Sequence, residues 1–230
     1  PPIVELLEKG LPDWREALLH VHDGGRVPIE YARSSIESAE GERFGYVLVF
    51  RNITARKHAE EAMKRLAYRD ELTGLPNRTS LLDRFELELQ HARRNKESLG
   101  VLYVDLDGFK QVNDRHGHAA GDTLLVEVAA RLCSALRAGD TVARLGGDEF
   151  VVLLPAIAGE ADARRVIEKL RVALLAPIEF RDVKLTATAS VGLALFPRDA
   201  KDPDELLQRA DAAMYRAKAA LKTHADDAGS

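Results

Sequence analysis

The chain is short of the features that usually announce a compartment or a ligand class. It has one cysteine in 230 residues, so no intrachain disulfide can form and a reducing cytoplasm is the expected setting. That cysteine, Cys133, falls inside a helical pattern and reads as a buried, inert thiol. No apolar run approaches the roughly 18 residues that a membrane span needs, and no secretory leader opens the sequence. Pro1-Pro2-Ile3 reads instead as the start of a cut segment, so further chain is expected upstream, and any membrane attachment would have to come from there. There is no basic excess either: 33 Lys and Arg stand against 37 Asp and Glu, a formal charge of −4. A general nucleic-acid surface is therefore not expected. Internal repeats and low-complexity tracts are missing, and only 223–230 reads as a disordered tail.

What is present is ordinary for a globular protein of one or two domains: 46% hydrophobic and 30% charged residues. Residues 1–53 show a helical stretch to about Leu11, then strands at 16–21, 26–38 and 44–50, the first two joined by the turn signal His22-Asp-Gly-Gly25. Three strands give a thin core, so this segment reads as part of a domain. Over 54–69 the pattern turns helical. Ala55, Ala59, Ala62, Leu66 and Arg69 alternate in steps of three and four, with Met63 beside the seam and dense charge elsewhere. A polar helix with a narrow apolar seam pairs with another helix, which predicts a signalling linker that dimerises; the alternative is a helix packed on its own domain.

Beyond the breaker Thr73-Gly-Leu-Pro76, residues 70–222 read as one domain. Leu81, Leu82, Phe85 and Leu89 mark a helix, followed by a strand at 99–105, a helix at 123–136, strands at 141–145 and 150–154, a helix at 161–175, a strand at 185–196 and a helix at 203–221. The core order β-α-β-β-α-β predicts an α+β, ferredoxin-like fold with an antiparallel sheet. In that sheet we expect the first strand beside the strand leading into the Gly146-Gly147 turn.

Arg144-Leu-Gly-Gly-Asp-Glu-Phe150 sets two carboxylates side by side after a tight turn. A hairpin needs the glycines but gains nothing from adjacent like charges. Asp105 ends a mostly apolar strand, where an ionised carboxylate is expensive unless paired or bound to a metal. If Asp105, Asp148 and Glu149 converge, their repulsion calls for a cation, and a Mg²⁺ site is the natural resolution. For Asp122 the local reading is a helix N-cap before Thr123. Arg137 and Gly139 fit a helix C-terminus.

The hairpin resembles the signature of the GGDEF family, the diguanylate cyclases. The resemblance runs from about Asp70 to Leu221 and is carried by separated motifs in order: Asp70-Glu-Leu-Thr-Gly-Leu-Pro-Asn-Arg78, Asp105-Leu-Asp-Gly-Phe-Lys110, Asn113-Asp114, Gly117-His118, Gly121-Asp122, the hairpin, and Ala210-Asp-Ala-Ala-Met-Tyr-Arg-Ala-Lys218. It implies condensation of two GTP into cyclic di-GMP with release of two pyrophosphates. Two facing domains each hold one GTP, and each 3′-hydroxyl attacks the partner's α-phosphate. The resemblance implies Mg²⁺, with Mn²⁺ as a substitute, on Asp105, the Leu106 carbonyl, Asp148 and Glu149; Asp148 is alternatively the base for the 3′-hydroxyl. Asn113 and Asp122 would read guanine. The amides of Gly108 and Phe109, with Lys110, Lys218 and Lys222, would take the phosphates, and Gly146 and Gly147 would let the nucleotide approach. At Lys222 the sequence departs from the family's usual ending. Arg137 and Asp140 match the family's inhibitory product site, whose second arginine the sequence does not disclose. Finally, His22-Asp-Gly-Gly-Arg-Val-Pro-Ile-Glu-Tyr31 and Gly45-Tyr-Val-Leu-Val-Phe-Arg-Asn-Ile-Thr54 resemble the closing strands of a PAS sensor, with Asn52 in place of the usual aspartate. The alternatives are a GTP or cyclic di-GMP binding module, or a regulator of a phosphodiesterase domain further along.

Overall fold

The structure is a computed structural model that describes residues 14–22 and 24–227, without the side chains of 61, 64, 65 and 221–227. The helix expected before Leu11 lies outside the described residues. The chain divides into two compact units, residues 1–65 and 66–230.

The first unit is an antiparallel meander of β1 (Arg15–His20), β2 (Arg26–Glu37) and β3 (Arg43–Asn52) in the order β1-β2-β3. Its core is thin: Ile29 and Ile53 are the buried apolar residues among its described residues. Helix α1 (Thr54–Tyr68) starts where the Asn52 side chain accepts the Thr54 N–H at 2.9 Å. Its first turn is tied to the sheet by Arg56, which pairs with Glu16 at 3.1 Å and Glu30 at 2.8 Å. Asn52 thus opens the helix with a hydrogen bond, where an aspartate would add a charge.

The second unit runs through α2 (Arg78–Asn95), β4 (Ser98–Asp107), α3 (Phe109–His116), α4 (His118–Ala135), β5 (Thr141–Gly146), β6 (Glu149–Ile157), α5 (Glu160–Leu174), β7 (Ile178–Phe180), β8 (Val183–Leu185), β9 (Thr188–Phe196) and α6 (Pro203–Asp227). The four long strands form an antiparallel sheet in the order β5-β6-β4-β9. The α+β, ferredoxin-like expectation holds, with one correction. β4 lies beside β6, the strand that leaves the Gly-Gly turn, and β5 is an edge. A crossover that returns its strand one place away leaves room for the second arm of the hairpin to pair in the middle.

Both faces of β4 are covered, which is why it reads as an unbroken apolar run. Leu102, Val104 and Leu106 pack with Leu124, Leu125 and Leu132 of α4 and Leu170 and Leu174 of α5. Leu99 and Val101 pack with Leu81, Phe85 and Leu89 of α2 and Leu206 and Ala210 of α6. The two-residue period of the strand therefore sends Tyr103, Asp105 and Asp107 to the α2/α6 face. Gly192 lets α6 dock: a Cβ there would stand 2.0 Å from the Ala210 carbonyl oxygen.

Several local expectations change. The short helix α3 was not anticipated, α4 begins five residues before Thr123, and the β7–β8 hairpin precedes β9. Leu82 is only half-buried. The last helix continues to Asp227, into the stretch expected to be a tail. Cys133 is exposed on α4, because the helix buries Val128, Ala129 and Leu132 instead. Among the described residues, no helix is long and apolar enough to cross a membrane.

Candidate active site

The β5–β6 hairpin turns through Gly146 (φ 146°) and Gly147 (φ 53°), the latter in the left-handed region where a side chain is strained. A Cβ on either glycine would meet nothing within 4 Å, so the tip faces open space. The register sets Glu149 of β6 directly opposite Asp105 of β4. The Leu106 N–H donates to the Asp148 carbonyl at 3.2 Å, fixing the hairpin tip against the end of the central strand. Burial first, and then the Asp105 charge, push the Asp148 carboxyl above its ordinary pKa. The like charges of Asp105 and Asp148 therefore press on each other at this end of the sheet.

The cation nearest to them is Lys218 of α6, whose Nζ donates to Asp105 Oδ1. Burial works against the charged lysine, but the bond to Asp105 and the charges of Asp148 and Asp107 outweigh it and raise its pKa. Tyr103, on the same face, is held in its neutral form by burial and by the nearby Glu149 carboxylate. Among the described residues, no three His, Cys, Asp or Glu side chains stand close enough together to hold a metal ion as they are. In kind, Asp105, Asp148, Glu149 and the Leu106 carbonyl are the hard oxygen donors that Mg²⁺ takes. The repulsion registered at Asp148 is what such an ion would relieve, so the donor set fits.

β4 ends at Asp107, whose carboxylate accepts Ser190 Oγ at 2.7 Å and Thr188 Oγ1 at 3.0 Å. Gly108 (φ 71°) then turns the chain into α3, presenting the amides of Gly108, Phe109 and Lys110 at a helix N-terminus. Farther along α3, Asn113 Oδ1 is buried and has no hydrogen-bond partner. A stranded buried acceptor is costly unless a ligand completes it. Gly121 makes room for it, since a Cβ there would lie 2.0 Å from Asn113 Oδ1 and 3.1 Å from Phe109 Cε2. Asp122 is inside α4, whose N-cap is Gly117. The capping role read from the sequence is therefore excluded, because the helix starts one turn earlier. Asp122 lines, with Leu72, Thr123 and Val126, a cleft of about 570 Å³. Lys110 is exposed, and the Lys222 side chain lies outside the described residues.

One buried group escaped the sequence reading. The Arg144 side chain is only 9% exposed. Its Nη1 reaches Asp70 Oδ1 at 2.9 Å, while Nε and Nη2 both donate to the Gly147 carbonyl, at 3.0 and 2.7 Å. Asp70 also accepts from Thr73 N at 2.9 Å and Thr73 Oγ1 at 2.6 Å. The turn after α1 is thereby braced to the hairpin tip. Both partners stood in quoted motifs, but 74 residues apart, and nothing local links them.

Arg137 lies just past the end of α4, not in its last turn. Its Nε donates to Asp140 Oδ1 at 3.0 Å and its backbone N–H to Oδ2 at 3.2 Å. Both residues line a separate cleft of about 300 Å³ together with Arg165 and Lys169 of α5. Arg165 and Lys169 thus add two cations to the lining of that cleft.

Comparison with known proteins agrees with this geometry. Residues 67–224 match the model of the diguanylate cyclase GGDEF domain. The diguanylate cyclase TpbB of Pseudomonas aeruginosa is 48% identical over 153 residues, 66% of this chain and 35% of that protein. MucR of the same organism, a bifunctional diguanylate cyclase and cyclic di-GMP phosphodiesterase, is 47% identical over 165 residues, 72% of this chain and 24% of that protein. The solved GGDEF domain of TpbB superposes with a TM-score of 0.64 at 47% identity, covering 66% of this chain and 88% of that one. The chain spans about a quarter to a third of the length of the curated relatives it matches.

Proposed function

The chain belongs to the GGDEF diguanylate cyclase domain family, and from that premise we propose that it condenses two GTP molecules into cyclic di-GMP with release of two pyrophosphates. The observation that carries this reading is the like-charge pressure of Asp105 on Asp148 beside an open Gly-Gly tip, with Glu149 opposite Asp105 in the strand register. Asp105, Asp148, Glu149 and the Leu106 carbonyl would hold Mg²⁺. A bound Mg²⁺ would neutralise phosphate charge and make the 3′-hydroxyl more acidic.

The remaining steps belong to the chain's own groups. The amides of Gly108 to Lys110 receive phosphate oxygens at the start of α3. Lys218 is bound to Asp105, and its ammonium can pass from that carboxylate to a phosphate. Asn113 Oδ1, buried and unpaired, accepts an N–H of the base, and Asp122 accepts the guanine N1–H and amino group. Phosphoryl transfer asks mainly for in-line positioning and charge neutralisation, so two such domains facing each other supply one nucleophile and one electrophile each. In this reading the 54–69 helix sets that encounter.

Product formation from GTP and Mg²⁺, resolved by chromatography, tests the proposal beside Asp148→Ala and Glu149→Ala. Cyclic di-GMP from the wild type alone supports it. A dimeric, folded wild type that binds GTP and forms no product overturns it in favour of a binding module. A specific observation favours a second role alongside catalysis. The cleft holding Arg137, Arg165 and Lys169 around Asp140 is suited to a dianionic nucleotide with guanine edges, which is the chemistry of the product itself.

A further inference from the structure

Two aspartates two residues apart on β4 face the same side of the sheet, yet they are held in opposite ways. Asp105 is paired with a cation, Lys218. Asp107 is held by neutral donors: one carboxylate oxygen takes Ser190 Oγ at 2.7 Å and the other takes Thr188 Oγ1 at 3.0 Å. Both hydroxyls come from β9, where Thr188 is opposite Asp107 and Ser190 is opposite Asp105. Ser190 is wholly buried, one of three buried polar or charged side chains among the described residues. Asp107 is also the last residue of β4, immediately before Gly108 and the turn into α3.

We infer that Asp107 is a positioning residue for the phosphate-binding turn, anchored to the sheet edge by Ser190 and Thr188 and thereby kept out of the metal-binding set. The anchor stands at the root of the segment that carries the Leu106 carbonyl and the Gly108, Phe109 and Lys110 amides. Those groups act only if their directions are fixed before the nucleotide arrives, since backbone donors gain most when they need no reorganisation. With a hydroxyl on each oxygen, Asp107 has little to gain by swinging toward Lys218 or a cation. Without the hydroxyls it becomes a free carboxylate on the face that already holds Asp105, and it competes for the same lysine.

The inference rests on the nucleotide reading of the site, and one experiment separates the two. Binding of a GTP analogue with methylene in place of the α,β-bridging oxygen, in the presence of Mg²⁺, is measured by calorimetry, with thermal unfolding in parallel. If the wild type fails to bind the analogue, the reading of the site falls and this inference falls with it. If it binds, Thr188→Val and Ser190→Ala are each expected to weaken the analogue about tenfold, the scale of one hydrogen bond to a charged group. Thr188→Ser is expected to restore wild-type affinity, and the unfolding midpoint of Thr188→Val to stay near the wild-type value because the side chain is exposed. Should Ser190→Ala unfold, Thr188→Val decides alone. Unchanged affinity in Thr188→Val, or equal weakening in Thr188→Ser, overturns the inference.

Discussion

At the scale of single residues, the site is defined as much by absent atoms as by present ones. Asn113 buries an Oδ1 that has no hydrogen-bond partner, and it reaches that position only because residue 121 has no Cβ. The neighbours that an alanine would meet are the ends of the Asn113 and Phe109 side chains, not backbone. Both can swing away, so the protein should tolerate Gly121→Ala as a folded molecule and lose the base-reading geometry. Inside a helix, alanine even recovers about 1 kcal/mol of propensity over glycine. We expect Gly121→Ala to weaken GTP binding at least tenfold, roughly the value of one well-placed base contact, with thermal stability unchanged or slightly raised. Equilibrium binding and a melting curve on the same preparation check both halves. A variant that binds GTP normally would remove Asn113 from base recognition.

At the scale of elements, the turn after α1 and the β5–β6 hairpin behave as one piece through Arg144. Burial acts to raise the Asp70 pKa, but the Thr73 hydroxyl, the Thr73 amide and Arg144 outweigh it and hold the carboxyl below its ordinary value. A carboxylate whose folded pKa is depressed adds stability above its unfolded pKa and loses it as the pH falls through the folded one. Asp70→Asn keeps the shape and removes the charge, so it should cost about 2 kcal/mol at neutral pH. The gap from wild type should then narrow as the pH falls below about 4, where the unfolded carboxyl takes up its proton, and close below the depressed folded value. Urea midpoints at pH 7 and below pH 4 measure this; a gap independent of pH would mean that the hydrogen bonds, not the charge, carry the brace. Activity should fall alongside, since the Gly147 carbonyl loses its fixed donor when Arg144 is released.

The same scale shows what the sequence could and could not disclose. Long apolar strands and the helices built on Leu81, Phe85 and Leu89 or on Leu124 and Leu125 were legible, because burial on both faces leaves an unmistakable pattern. The Gly-Gly turn was legible for its backbone needs. The neighbour of β4 was not, because hydrophobicity says that a strand is central without saying which strand lies next to it. Helix α3 was hidden too: in Phe-Lys-Gln-Val-Asn-Asp-Arg-His no residue is buried, so no apolar stripe marks it. The pairs Asp70–Arg144, Lys218–Asp105 and Ser190–Asp107 join residues 74 to 113 positions apart and exist only once the sheet has formed.

At the scale of the whole molecule, the proposed reaction imposes a condition that one copy cannot meet. Each catalytic face offers one nucleotide, and the product needs two, so the rate must depend on how two copies are brought together. Helix α1 carries the features for this: Leu66, on the seam of Ala55, Ala59 and Ala62, is 59% exposed, and Met63 beside that seam is 70% exposed. Exposed large apolar groups on an otherwise polar helix mark a surface that gains by being covered. Specific activity should therefore rise with protein concentration, and a parallel two-stranded coiled coil fused in heptad register before residue 54 should abolish that dependence. Phase is the sharper test. Inserting two residues into the fused helix turns the catalytic units by roughly 200° about its axis, whereas seven residues return them to within about 20° at 3.6 residues per turn. The two-residue insertion should lower cyclic di-GMP formation at least tenfold, and the seven-residue insertion should restore it. Equal rates in all three fusions, measured at a concentration where each is fully dimeric, would show that the helix tethers the two copies without orienting them.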